Sequence, residues 1–415
     1  MKRKTISLTS ILRDVLIVHI CLAAIYAVLV VVMAWQGRLE GGDFTAFYTG
    51  WTIVRNGDGP RLYDWDLQAR YQQQILHGRV FNGGLLPYVN PPHATLPFVP
   101  LASVSRTTAL LLWMLLQVAL LFWALRLLHS VAASWTATER HMLLTAVLAF
   151  RPLYLTFVLG TFSLLMLVCF LQFYLALKRT HDTRAALWLV AGTVKMQLML
   201  LPGVLLLAGH RWRALGAALL AGGAAGLLSA AVLGWQTWIG YFQMLRTVNG
   251  IFGRNGIWPE GMYNLKGTLT LLLGNENGPL INQLATLGLL VGALLALLIW
   301  HGSWQPESPR FELKMALTLL LGLFFGPYVN QHDGLLLVMP ALLFYDYLRR
   351  REIPRRLYAA FVLSCPFLFL VGEGLVGNRL GIRLPVVAMI VLFGWMCRAF
   401  VAERNVEMAP RLQTS

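Results

Sequence analysis

The chain has 415 residues, of which 57% are hydrophobic and only 13% charged, and it carries a formal net charge of +16. Soluble domains hold about a quarter of their residues charged, so this composition, with repeated apolar runs of span length, excludes a soluble globular protein and points to a bilayer. Nucleic acid is not expected as a partner. The basic residues gather in short segments between apolar runs, where membrane topology and anionic lipids account for them.

The N-terminus carries Lys2, Arg3, Lys4 and Arg13, then an apolar run to Trp35. That run is too long for a signal peptide and no small-residue cleavage site follows, so it reads as an uncleaved first span. Further spans are predicted near 106–128, 141–158, 161–178, 214–234, 282–300, 313–328, 334–348, 356–373 and 384–402, after the first at 15–34. The stretch 185–210 is apolar but interrupted by Lys195 and Pro202. Charge decides how it runs. A single crossing would put Arg211, Arg213 and the arginines of 349–356 outside the cell, against the positive-inside rule. A hairpin that dips in and returns places every basic cluster (2–13, 178–184, 211–213, 310–314 and 349–356) in the cytoplasm. The expected architecture is therefore an all-α polytopic membrane protein with about twelve membrane segments. It has a cytoplasmic N-terminus at 1–14, one transmembrane domain over 15–402 and a cytoplasmic tail at 403–415.

This topology exposes two long segments outside, 35–105 and 235–281. Cytoplasmic loops are short, and no Gly-rich phosphate loop follows a strand, so any chemistry faces outward. The four cysteines (Cys21, Cys169, Cys365 and Cys397) lie in apolar runs and read as packing residues. Neither a metal nor a cofactor is expected.

The first outer segment concentrates acids: Glu40, Asp43, Asp58, Asp64 and Asp66. Asp43 stands a few residues beyond the first span with Phe44, Phe47, Tyr48 and Trp51 beside it. A carboxylate just above the bilayer, flanked by aromatics that favour that depth, can reach a head group whose tail stays in lipid. A solvated loop acid or a helix N-cap fits the same residues. Gly57-Asp58-Gly59-Pro60 reads as a turn. Trp65 to His77 reads as a helix, its Leu67, Tyr71 and Ile75 suiting either the membrane surface or ordinary packing. After Tyr88-Val89-Asn90, prolines at 91, 92, 97 and 100 forbid a regular span. Non-helical backbone at membrane depth survives where it lines a cavity or is buried.

Ionisable residues within or at the ends of spans are costly and are candidates for function. They are Lys195, Arg151, and the pair His332 and Asp333. The second outer segment adds Arg254, Glu260, Asn264 and Lys266, and the last outer loop Glu373, Arg379 and Arg383.

Taken together, Gly42-Asp43-Phe44 with Tyr48, Gly57 to Pro60-Arg61-Leu62-Tyr63-Asp64, Tyr88-Val89-Asn90-Pro91-Pro92 and Pro100-Leu101 resemble glycosyltransferase family 87. So do Arg151-Pro152 with Gly160, Lys195, Arg211-Trp212-Arg213, Asn264-Leu265-Lys266-Gly267, and His332 before an apolar span ending in basic residues. The chain has Thr161, Met196 and Gln331 where the family often has Gln, Pro and an aromatic. The resemblance implies a GT-C-type fold and a polyprenyl-phosphate-linked sugar as donor, with mannose the sugar of the nearest enzymes. A glycolipid or glycan would be the acceptor, and transfer would be inverting at the outer face of the inner membrane. It implies Asp43 as general base, His332 near the sugar or phosphate, and Lys195, Lys266 and Arg254 on the donor phosphate. Tyr48, Tyr88, Asn90 and Asn264 would contact substrate. A lipid-linked glycan transporter and a glycan polymerase or ligase are the alternatives.

Overall fold

A computed structural model describes residues 8–36, 39, 41–78, 84–253, 257–371 and 383–408. Among these every regular element is a helix. The first, α1 (Leu8–Trp35), turns most of its apolar surface outward and packs through Tyr26, whose ring stacks on Tyr154 at 4.8 Å.

The first outer segment is built rather than loose. Gly41 adopts φ 53° and opens α2 (Gly42–Arg55), whose Phe44, Phe47 and Trp51 are buried. Trp51 and Phe47 meet Trp113, Phe98 and Phe162 in edge and tilted contacts that aromatic rings prefer. Helix α3 (Trp65–Ile75) is N-capped by Asp64, which accepts from Leu67 N at 3.0 Å. Its inward face includes Gln68 and Gln72, whose amides bond the backbone of Leu62, Leu86 and Tyr88. The helix is thus seated by tertiary hydrogen bonds. The proline-rich stretch forms the single turn α4 (Pro92–Thr95) and a 3-10 segment, Leu96–Ser103, with no span, as the prolines require.

α5 (Arg106–Val131) crosses the bundle, and α6 (Ala137–Leu148) and α7 (Arg151–Leu159) return with a 42° bend between them. The single straight span expected at 141–158 is therefore broken, because Pro152 stands in the first turn of α7 and Phe150 leaves the helix. α7 ends on Gly160 at φ 68°. Trp113 Nε1 donates to its carbonyl at 2.9 Å, and a Cβ there would lie 2.7 Å from that of Phe44.

α8 (Ser163–Lys178) is buried on all sides and forms the core with the equally buried α15 (Pro309–Phe325). After α8 come α9 (Asp182–Ala191), a 3-10 turn Gly192–Lys195 and α10 (Met196–Ala208). Length and hydropathy alone make Asp182–Ala208 a candidate crossing of 27 residues. A straight helix of that length would hold its ends roughly 40 Å apart. Instead Arg211 Nε donates to Asp182 Oδ1 at 3.0 Å, so the chain enters as α9, turns at 192–195 and comes back as α10. The fold-back expected from the charge pattern is present. α11 (Trp212–Leu233) then runs beside α9 in the same direction, Gly222 facing Val190.

The second outer segment holds α12 (Gln236–Asn249) and α13 (Leu265–Leu273), followed by α14 (Gly278–Trp300). After α15, a 3-10 segment Gln331–Leu337 leads into α16 (Val338–Arg350), α17 (Arg356–Val371) and α18 (Leu384–Met408). Six helical stretches are long and apolar enough to cross a membrane, including the folded-back Asp182–Ala208, and the bent α6–α7 pair adds a seventh. The other expected crossings are shorter helices such as Ser163–Lys178 and Arg356–Val371.

One end of the bundle is stitched by ion pairs. Glu312, fully buried, binds Lys178 and Arg350; Arg211 binds Asp182; Arg355 binds Glu139; and Arg351 binds Glu403. The two outer segments occupy the opposite end. A cysteine at position 213 and one at position 66 should therefore react with an impermeant thiol reagent from opposite sides of sealed vesicles, above the background of the native cysteines. Reaction of both from one side would mean that Asp182–Ala208 crosses once.

Candidate active site

Four separate segments bring ionisable side chains together at the outer-segment end. Asp43 sits in the first turn of α2, where helix N-H groups favour a carboxylate. Lys195 stands at the tip of the α9–α10 hairpin. His332 and Asp333 belong to the 3-10 segment before α16, and Lys266 to the first turn of α13.

The centre is a buried ion pair. Lys195 Nζ donates to Asp333 Oδ1 at 2.6 Å, with the two side chains 8% and 1% exposed. Asp333 also accepts from Ser163 Oγ at 3.0 Å and from Asn330 N at 3.1 Å. Burial alone would raise the Asp333 carboxyl, but the Lys195 ammonium, His332 and these bonds override it and hold the group below the usual carboxylate range. Lys195 gives a second hydrogen bond to His332 Nε2 at 3.1 Å. An ammonium only donates, so Nε2 accepts and the ring proton lies on Nδ1. Burial lowers the His332 pKa in the same sense. Asp43 Oδ2 lies 3.6 Å from that ring nitrogen, its carboxylate 37% exposed.

Above this floor opens a cavity of about 520 Å³. Asp43, Asn90, Lys195 and Asp333 line one side, and Arg246, Asn249, Lys266 and Tyr328 the other. Lys266 is 2% exposed and donates to Asn249 Oδ1 at 2.9 Å and the Tyr328 hydroxyl at 3.4 Å. It also lies over the rings of Phe252 and Tyr328. Among the described residues no carboxylate pairs with it. Burial pushes its ammonium down to about 8. Leu200 of α10, Leu245 of α12 and Leu289 of α14 form an apolar wall toward the spans.

Asp43, Lys195, Lys266 and Asn90 of the expected site therefore share one cavity. Asn90 has a structural task as well, since its amide donates to Val194 O at 2.8 Å and fixes the hairpin tip. His332 joins the cluster but lies beneath the floor, 3% exposed, and does not line the cavity. Three expectations are corrected. The Tyr48 hydroxyl donates to Val104 O at 2.7 Å, and Tyr88 bonds Thr95 at 2.7 Å while 1% exposed, so neither reaches the cavity. Asn264 is fully buried as the N-cap of α13, accepting from Gly267 N and donating to Gly326 O. Arg254, Glu373 and Arg379 lie outside the described residues, and Arg383 donates to Glu260 O. Arg246, Asn249 and Tyr328 line the cavity and Ser163 bonds Asp333, and the sequence reading selected none of these four. Asp333, singled out there with His332 at a span end, is the counter-ion that a lysine at membrane depth demands.

The family model of glycosyltransferase family 87 matches residues 88–327, more than half of the chain. The match includes Lys195 and Lys266; Asp43, His332 and Asp333 lie beyond its ends. No curated protein and no solved structure matches.

The two halves of the site should respond differently to substitution. Lys195→Met leaves the Asp333 carboxylate buried and unpaired, a loss of about 3–5 kcal/mol that thermal unfolding in detergent will register. Asp43→Asn changes a half-exposed group that faces only the neutral His332 ring nitrogen at 3.6 Å, and stability should move by less than about 0.5 kcal/mol. Equal melting temperatures for the two variants would contradict the paired-floor description.

Proposed function

The chain belongs to glycosyltransferase family 87 and is a glycosyltransferase; we propose that it moves a hexose, mannose by preference, from a polyprenyl-phosphate-linked donor to a glycolipid or glycan acceptor. The reaction takes place at the outer face of the inner membrane. The observation that carries this reading is the pairing, within one cavity, of an accessible carboxylate at Asp43 with a buried ammonium at Lys266 that has no carboxylate partner among the described residues.

A buried cation held only by neutral groups is costly, and an anionic ligand relieves it. The phosphate of the donor fits that role, with Arg246 as a second cation on the same wall. The apolar surface of Leu200, Leu245 and Leu289, beside α14, suits the prenyl tail. Asp43 then takes the proton of the acceptor hydroxyl as its oxygen bonds to the anomeric carbon. The bond from that carbon to the phosphate oxygen breaks, and its electron pair leaves with the polyprenyl phosphate, whose charge Lys266 and Arg246 balance. Lys195, already neutralised by Asp333, holds the floor and leaves the phosphate to those two. Inversion is favoured because a double displacement needs a second reactive carboxylate across the sugar. Asp333 is spent on three donors and 1% exposed. The positive-inside rule orients the molecule: the arginine-rich end lies in the cytoplasm and the cavity faces outward.

Membranes given radiolabelled polyprenyl-phosphate mannose should pass label to an endogenous acceptor. Asp43→Asn should slow that turnover by about 10²–10⁴-fold while donor still binds. Retention of full activity in this variant would refute the base assignment. The Lys266 ammonium gives a pH signature. Phosphate affinity is present while the amine is protonated and is lost as pH rises through about 8, so the donor KM climbs above that pH. In Lys266→Gln the donor KM should be raised at least about tenfold at neutral pH, and the alkaline limb should vanish.

A further inference from the structure

A second cavity, which shares no lining residue with the first, runs between α6, α16, α17 and α18. Its volume is about 140 Å³. The walls are Met142, Val147, Phe150, Leu342, Phe369 and Met389, all buried side chains. Water gains nothing there: an apolar cavity of this kind stays dry and accepts an apolar guest. Left empty, the walls would forfeit the dispersion contacts that fill protein interiors. From Glu139 to Phe150 the cleft follows about 16 Å of helix, close to half the roughly 30 Å hydrocarbon thickness of a bilayer. Those are the dimensions of one acyl chain in one leaflet.

The cleft has a polar end at the face stitched by ion pairs. Glu139 there is already satisfied by Arg355 at 3.1 Å and by the Tyr345 hydroxyl at 2.6 Å. Two cations next to Glu139 and Arg355 in sequence carry no carboxylate partner among the described residues. Arg140 donates only to the carbonyls of Ala133 and Trp135, and Arg356, exposed at the start of α17, has no ion pair among the described residues. Their charge selects the sign of the head group.

We propose that this cleft holds one acyl chain of an anionic glycerophospholipid, with its phosphate against Arg140 and Arg356. The site is separate from the sugar-transfer cavity. To test it, purified protein stripped of co-purified lipid is offered phosphatidylglycerol or phosphatidylcholine in detergent, and native mass spectrometry counts what stays bound. One phosphatidylglycerol per chain should be retained, with at least about tenfold weaker retention of phosphatidylcholine. Ala146→Phe, which fills the cleft wall, should abolish retention. The surface double variant Arg140→Gln/Arg356→Gln, which does not touch the packed interior, should erase the head-group preference. Unchanged retention in the filled variant, or equal retention of the two lipids by the unmodified protein, would overturn the proposal.

Discussion

The cavity end of this protein depends on one buried ion pair. Lys195 and Asp333 come from segments more than a hundred residues apart, and each would be prohibitively costly alone in a low-dielectric interior. Their attraction does not have to add net stability to matter, because desolvation consumes much of it. What it fixes is geometry. The lysine bonds that carboxylate directly, so the tip of the α9–α10 hairpin meets the start of the segment before α16. Ser163, at the head of α8, is drawn into the same knot by its bond to Asp333. Three helices are thereby registered at one depth, and the cavity opens above the point where they meet.

Around that knot the bundle divides its polar groups between two ends, as lipid demands. The middle is occupied by α8 and α15, buried on nearly every face. One end collects arginines and the acids that tie them; the other collects the outer segments and the cavity. In the cavity the charges are deliberately unequal: the lysine of the floor is compensated, whereas the lysine of the far wall is not. A site whose floor lysine is compensated while Lys266 and Arg246 stand beside the cavity has a built-in polarity, and an anionic substrate has a preferred sense across it.

Much of this was legible in the sequence. Hydropathy located the long spans, and the distribution of arginines called for the hairpin, because charge topology is a property of composition along the chain. Asp43, Lys195 and Lys266, which line one cavity, stood out because charged groups near membrane depth have few structural excuses. Tyr48, Tyr88 and Asn264 were misread for the complementary reason. An aromatic or an amide at the rim looks the same whether it faces a cavity or turns back to a carbonyl, and here each turns back. Gln68 and Gln72 carried no signal at all, since their partners at Leu62, Leu86 and Tyr88 are brought up by the chain's own tertiary path.

The turn at Gly160 has a wider consequence. Its backbone is pressed against Phe44, the residue next to Asp43, with no room for even a methyl group between them. The position of the Asp43 carboxylate in the bundle is thus set by steric contact with the turn at Gly160, in the manner of a shim under an instrument. A lesion in that spacer would present as an enzyme with intact chemistry, intact charges and a misplaced reaction plane.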